Sequence, residues 1–213
     1  MAIVQQDFDQ LMNQARVTLV GASDAGLKGA FYDVLSEFFK DSSCWDECIT
    51  LPVITTSKCY PLTPSEGQII RLGGVGASQC RFIPALMPVI GELHLQHFPN
   101  QPDTYFVNVI KNVALPTDRH MMPQAPDWVL PLWHVGILDG LLGKMMSMPG
   151  KSFTNAQGSY HLKRFRNIIS EARILKLKAN TNGASAWRFP QQFRSTSQQG
   201  GVPAIGSASE RLF

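Results

Sequence analysis

The chain has 213 residues, of which 44% are hydrophobic and 16% are charged, and its mean hydropathy is −0.05. This composition is typical of one globular domain, alone or with an appendage, and it excludes a fully disordered or fibrous chain. Pro131, His134 and Asp139 interrupt the most apolar stretch, 128–142, so we expect no membrane span and no membrane partner. The N-terminus lacks the features of a signal peptide, which predicts a protein made and kept in a cytosol-like compartment.

Charge is distributed unevenly along the chain. Residues 1–150 hold 9 Lys and Arg against 14 Asp and Glu, a balance of −5, whereas residues 151–213 hold 10 against 2, a balance of +8. Such polarity suits either nucleic acid near the C-terminal part or identical copies that meet front to back. Charge alone does not choose between these two kinds of partner.

The first predicted elements are two helices, at about 7–19 and 24–41, where apolar residues recur with helical spacing. Ser23 is placed to cap the second helix at its N-terminus. Trp45 follows that helix, and we expect its ring to close the end of the helix pair.

From about 47 to 115 the apolar spacing shortens and prolines separate short runs, which predicts a small antiparallel β region with long turns. The clearest predicted hairpin joins 91–97 to 104–111. The glycine-rich run 72–78 lacks the Gly-Lys-Ser/Thr sequence of a phosphate-binding P-loop, and we expect a flexible β-turn there.

Helical spacing returns at about 127–146 and 155–179, and the short turn between these segments predicts antiparallel neighbours. The apolar faces predicted to be buried are Trp128, Leu132, Val135, Leu138, Leu141, Leu142 and Met145 in the first helix, and Leu162, Phe165, Ile168, Ile169, Ala172 and Leu175 in the second. The predicted fold class is therefore α+β, mainly a bundle of about four helices with an inserted small antiparallel β region. We expect this domain to span 1–180, followed by an extended C-terminal tail.

The last helix carries the strongest candidate interaction residues, which are basic: Lys163, Arg164, Arg166, Arg173 and Lys178. Lys163 and Arg173 lie on different sides of the helix, so a helix that reads base sequence in a groove is not expected. Contact with acidic surfaces of neighbouring subunits, or a position facing a DNA-filled channel, suits them better. An ordinary solvated amphipathic helix is the alternative.

Residues 181–213 differ in composition, because 15 of these 33 residues are Gly, Pro, Ser or Gln and no periodicity remains. The segment nevertheless holds aromatic and basic residues: Trp187, Arg188, Phe189, Phe193, Arg194 and Phe213. Large rigid rings suit a segment that becomes ordered on a partner. We expect an extended arm that docks on another protein.

Residues that carry chemistry form no recognisable motif in the sequence. Cys44, Cys48, Cys59 and Cys80 make no Cys-x-x-Cys pair, and we expect buried or half-buried free thiols, with metal ligation as the alternative. No nucleophile, zinc-protease or paired-carboxylate signature is present. We therefore expect no enzyme activity, no catalytic residue, no metal site and no cofactor.

The order of several short motifs resembles that of a known family. The motifs are an aromatic-rich helix from Phe31 through Trp45, then Tyr60-Pro61-Leu62, Pro126-Asp127-Trp128, the glycine-rich helix 136–142, the turn 148–153, and Phe165 through Ala172-Arg173. Over residues 5–180 this pattern resembles the head-to-tail adaptor family of short-tailed bacteriophages, also called tail tubular protein A. The sequence departs from the family at Ser152, where proline is usual, and at Phe153, where tryptophan is common.

This resemblance implies a structural function. Such adaptors form a homo-oligomeric ring, usually of twelve copies, beneath the portal protein at the head–tail junction of the virion. The ring joins the DNA-filled capsid to the tail nozzle protein, and double-stranded DNA passes through its channel without sequence-specific contact. Assembly takes place in the host cytoplasm, and the 181–213 arm is expected to dock on the portal.

Two other functions stay open at this level. One is a DNA-binding or packaging accessory protein that acts through the basic C-terminal helix. The other is a cell-wall lytic enzyme, because some adaptors of related phages have been credited with that activity. No catalytic pair can be nominated for it from the sequence.

Overall fold

The computed structural model describes residues 3–77, 82–114, 123–148 and 155–180. The chain divides into two units, Met1–Lys176 and Leu177–Phe213. Within the described ranges, four helices and two small antiparallel sheets form the α+β fold that the sequence predicts. None of the helices in these ranges is long and apolar enough to cross a membrane.

The helices begin and end within two residues of the predicted positions. They are α1 (Gln5–Thr18), α2 (Asp24–Ser42), α3 (Val129–Met146) and α4 (Asn155–Asn180). The strands are β1 (Asp46–Val53), β2 (Cys59–Pro61), β3 (Gln68–Ala77), β4 (Ala85–Val89), β5 (Glu92–Leu95) and β6 (Asp103–Asn112). The predicted cap of α2 is confirmed, because Oγ of Ser23 accepts a hydrogen bond of 3.2 Å from the backbone N–H of Gly26.

The six strands form two sheets around one shared apolar core, in the orders β1-β6-β3 and β2-β5-β4. The predicted hairpin between 91–97 and 104–111 is wrong, because β5 pairs with β2 and β4 whereas β6 pairs with β1 and β3. Pro99 and Pro102 lie between β5 and β6, and a proline cannot donate a ladder hydrogen bond, so the chain leaves one sheet and enters the other. The observed tight hairpin joins β4 to β5 at Gly91, whose φ is +87°.

The β-turn predicted at 72–78 is also wrong over its described part. Residues up to Ala77 belong to β3 and pair with β6, with register shifts between Ile69 and Arg71 and between Leu72 and Gly74. A Cβ on Gly73 would lie 3.1 Å from the carbonyl oxygen of Asn108. The glycines therefore permit an irregular strand that lies close to its neighbour.

Glycines bring α3 and α4 into close contact in the helical bundle. A Cβ on Gly140 would lie 2.8 Å from Cγ1 of Val34 in α2 and 2.9 Å from Cδ2 of Phe165 in α4. A Cβ on Gly143 would lie 2.8 Å from Cγ of Leu162. Real Cβ atoms do not approach neighbours so closely, so only glycine lets the three helices share this core.

The same pattern extends along both helices. Gly136 lies against Ile168 of α4, and Gly158 of α4 lies against Ser147, where a Cβ would be 2.9 Å from Oγ. Residue numbers rise along α3 as their partners fall along α4, which confirms the antiparallel arrangement. We call this contact the glycine seam, and it is defined by Gly136, Gly140, Gly143 and Gly158.

Three residues predicted to be buried in these helices are instead exposed. Leu132 and Val135 are 68% and 58% exposed, because α3 is apolar on almost every side and its glycines, which an apolar pattern ignores, select the buried face. Leu175 is half exposed, since Lys176 faces the bundle at this level and forms an ion pair with Asp46.

The predicted burial of the thiols is wrong at two positions. Cys48 and Cys59 are exposed because strand alternation places Leu51 and Tyr60, not the cysteines, on the inner faces. Cys44 is half-buried, and burial raises the pKa of its thiol, whereas Cys80 lies outside the described residues. No group of three His, Cys, Asp or Glu in the described ranges is arranged to hold a metal ion.

A buried lysine of the β region contacts Trp45 at the end of the bundle and forms an ion pair within its own sheet. Nζ of Lys111 lies 2.9 Å from Oε2 of Glu47 and 4.7 Å from the centre of the Trp45 ring, and the Lys111 side chain is only 5% exposed. Burial alone would raise the pKa of Glu47, but hydrogen bonds from Lys111 and from the backbone of Ser65 hold this pKa below its ordinary value. Trp45 is buried, with its ring centre 5.0 Å from that of Phe39, so it packs against the end of α2.

Gly140→Ala tests the glycine seam. We expect this substitution to lower the free energy of unfolding by about 2 kcal/mol, because the new methyl group would overpack Val34 and Phe165. The control is Gly29→Ala in α2, where no atom lies within 4 Å of the added Cβ, and which should raise stability by about 1 kcal/mol. Denaturant unfolding measures both effects, and a stabilising Gly140→Ala would contradict the packing described here.

Candidate functional site: an arginine groove beside helix α4

The basic residues predicted on α4 do not form one surface. Arg164 faces the bundle, where its Nε lies 3.1 Å from Oδ2 of Asp139. His161, one turn earlier, places Nδ1 2.7 Å from Oδ1 of the same carboxylate. Asp139 is buried on α3, so these two side chains attach α4 to the core.

The Asp139 carboxylate depends on both partners. Its Oδ2 accepts no aligned hydrogen bond from the described residues, so the nearby charge of Arg164 is what compensates this atom. The role of Arg164 is therefore structural. The sequence does contain a signal for this cluster, namely a single acid in an apolar helix and a His and an Arg three positions apart in the next helix. Asp139 was interpreted only as a residue that interrupts the apolar stretch 128–142.

Arg166 and Arg173 lie on another side of α4 and line a groove of about 470 Å³ between α2, β3 and α4. We call it the arginine groove, and its polar donors come from Lys40, Ser43, Arg71, Arg166, Ser170 and Arg173. Glu37 and Asp41 also line it. Arg71, Lys40 and Ser43 were not predicted as site residues, because only the fold brings β3 and the end of α2 beside α4.

Charge in the arginine groove is unbalanced. Four cationic side chains face two carboxylates, an excess of two positive charges. Glu37 is shared with Lys144, whose Nζ lies 3.5 Å from its Oε2. Among the described residues, neither Arg166 nor Arg173 forms an ion pair. The groove therefore presents guanidinium groups that the described residues do not neutralise.

Ser43 occupies an unusual backbone position at the edge of the groove. Its φ of 55° makes it the one non-glycine residue in the described ranges with a positive φ. Such a conformation costs an L-residue roughly 1–2 kcal/mol. The Ser43 N–H donates to the carbonyl of Phe39 and ends α2, while Oγ accepts a hydrogen bond of 2.5 Å from Nη2 of Arg71. The strained turn thus holds the hydroxyl that orients Arg71.

The remaining predicted residues lie elsewhere. Lys163 is exposed on the outer side of α4, and Lys178 is exposed in its last turn. The predicted portal-binding residues lie outside the described residues: Trp187, Arg188, Phe189, Phe193, Arg194 and Phe213.

Comparison with known proteins assigns no family. A scan against protein-family models finds no match, and no curated protein matches significantly. The resemblance to phage adaptors therefore depends on the order and spacing of the motifs alone, and the function it implies is a proposal.

Paired substitutions separate the structural arginine from a groove arginine. Arg164→Gln should lower the free energy of unfolding by about 1 kcal/mol, because it removes the charge beside the buried Oδ2 of Asp139. Arg166→Gln, with the same change in charge on the same helix, should change it by less than about 0.5 kcal/mol. Denaturant unfolding measures both, and equal effects would contradict this division of the basic residues.

Proposed function

We propose that the protein is a structural head-to-tail adaptor of a short-tailed phage. In this proposal, identical copies form a ring, usually of twelve, beneath the portal protein and support the tail nozzle protein. The ring leaves a channel for double-stranded DNA, and the chain itself has no enzyme activity. The observation that carries the proposal is the opposite charge of different helices in one small bundle.

That separation of charge is clear in the described helices. Helix α4 holds six Lys and Arg against one Glu, and two of the six, Arg164 and Lys176, pair with Asp139 and Asp46. Helices α1 and α2 together hold six Asp and Glu against three Lys and Arg. A ring is built from head-to-tail interfaces, in which one surface of a copy meets a different surface of the next. Unlike charge on those two surfaces favours this pairing over contact between two like surfaces.

Exposed apolar side chains add a second support for contact between copies. Val17 and Val20 near the end of α1 are 81% and 82% exposed, and Leu132 and Val135 of α3 are also exposed. The two helices lie side by side, because Nε2 of His134 is 2.7 Å from Oε1 of Gln14. Apolar groups in a polar surrounding are typical of subunit contacts.

The proposal gives each part of the chain a role. Residues 1–45 and 126–180 build the ring, the β region faces the tail, and 181–213 docks on the portal. The rich aromatic content of 181–213 supports docking, since aromatic and arginine side chains dominate binding energy at interfaces.

Truncation after Asn180 tests the docking role. We expect the truncated chain to keep the melting temperature of the full chain, because it retains the whole described core, but to lose stable attachment to portal particles. Full-length Trp187→Ala/Phe189→Ala should lose attachment as well, whereas the neighbouring Gln191→Ala/Gln192→Ala should retain it. Cosedimentation with portal particles and a tail-joining assay measure the effect, and full tail joining by the truncated chain would refute this role.

A DNA-binding or packaging accessory protein is the second candidate function. The observation that favours it is the excess of arginine charge in the groove beside α4. Nucleic-acid binding through such a patch would depend strongly on salt.

A further inference from the structure

We propose that the arginine groove is a phosphate-binding site. Its donors are the guanidinium groups of Arg71, Arg166 and Arg173, with the Ser43 hydroxyl orienting Arg71. All of these residues belong to one copy of the chain, so the inference does not depend on ring assembly or on portal binding.

The number of arginines in the groove, and the two sides from which they come, favour a phosphate over a carboxylate as the ligand. Arg71 comes from β3, whereas Arg166 and Arg173 come from α4, so guanidinium groups approach the groove from two sides. A planar carboxylate has two oxygens, but a tetrahedral phosphate offers acceptors in several directions and pairs with guanidinium groups in a bidentate manner. Glu37 and Asp41 lower the total charge but leave an excess of two positive charges.

The spacing of the α4 arginines also suits more than one phosphate. Arg166 and Arg173 are seven residues apart, so they lie on the same side of the helix about 10 Å from each other along its axis. Arg71 is held in place by Ser43 before any ligand arrives. A single free phosphate would use part of the groove, whereas separate phosphates of a nucleic-acid backbone would use all of it.

Binding of a short fluorescein-labelled DNA duplex to the full chain tests the site. Fluorescence anisotropy across a range of salt concentrations should show an affinity that falls steeply as salt rises. Arg166→Gln/Arg173→Gln should weaken binding at least about tenfold and reduce the slope of log K against log salt by about 2, one for each lost phosphate contact. Equal melting temperatures of variant and wild type would show that the fold is intact.

The control is Lys28→Gln/Lys58→Gln, which changes the charge by the same amount outside the groove. It should leave the affinity within about twofold and the slope unchanged. Equal losses in both double variants would overturn the proposal, because they would show an effect of net charge alone. Arg71→Gln, which alters β3 rather than α4, should weaken binding as well.

Calorimetric titration with inorganic phosphate shows whether the ligand of the groove is a free phosphate ion or the phosphate of a nucleic-acid backbone. Groove-dependent binding of duplex DNA, with only weak binding of inorganic phosphate, supports a nucleic-acid backbone as the ligand. Groove-dependent binding of inorganic phosphate without DNA binding supports a free phosphate. If neither probe binds in a manner that depends on the groove, the proposal is wrong. If the groove variant instead loses only self-association, the proposal is also wrong, and contact of the arginines with a neighbouring copy takes its place.

Discussion

Close contact between α3 and α4 at the glycine seam fixes the positions of the charged residues that flank it on the last helix. Because Gly140 has no side chain, Phe165 of α4 and Val34 of α2 reach the same point in the core. With α4 placed in this way, His161 and Arg164 face buried Asp139, while Arg166 and Arg173 face the groove. One side of α4 thus carries side chains that pair with buried Asp139, whereas another side carries arginines that form no ion pair with the described residues.

A small number of polar contacts attach the β region to the helical bundle. The Glu47–Lys111 ion pair lies against Trp45 at the end of the bundle, and the side chain of Asn112 donates a hydrogen bond of 3.0 Å to Oγ of Ser36 in α2. These contacts hold β3 beside the end of α2, where Arg71 reaches Ser43. The shape of the groove therefore depends on two sets of contacts. One is the glycine seam between α3 and α4, and the other is the set of polar contacts between the bundle and the β region.

Much of the fold was predictable from local sequence signals, and the errors share a physical cause. Helical spacing and the Ser23 cap located the helices, because both signals act within a few residues. The wrong hairpin and the exposed Leu132 depended on long-range choices, namely which strand pairs with which and which side of an apolar helix is buried. The groove was missed for the same reason, since Arg71 and Arg166 are far apart in the sequence and no local pattern brings them together.

In the proposed function, the protein acts by assembly, through contact with copies of itself and with larger partners. The most direct test is the mass of the full chain in solution, alone and mixed with its candidate portal protein, measured by sedimentation velocity. The account predicts a closed ring of many 23.6 kDa copies, either free or on the portal. A chain that stays a monomer under both conditions would contradict it.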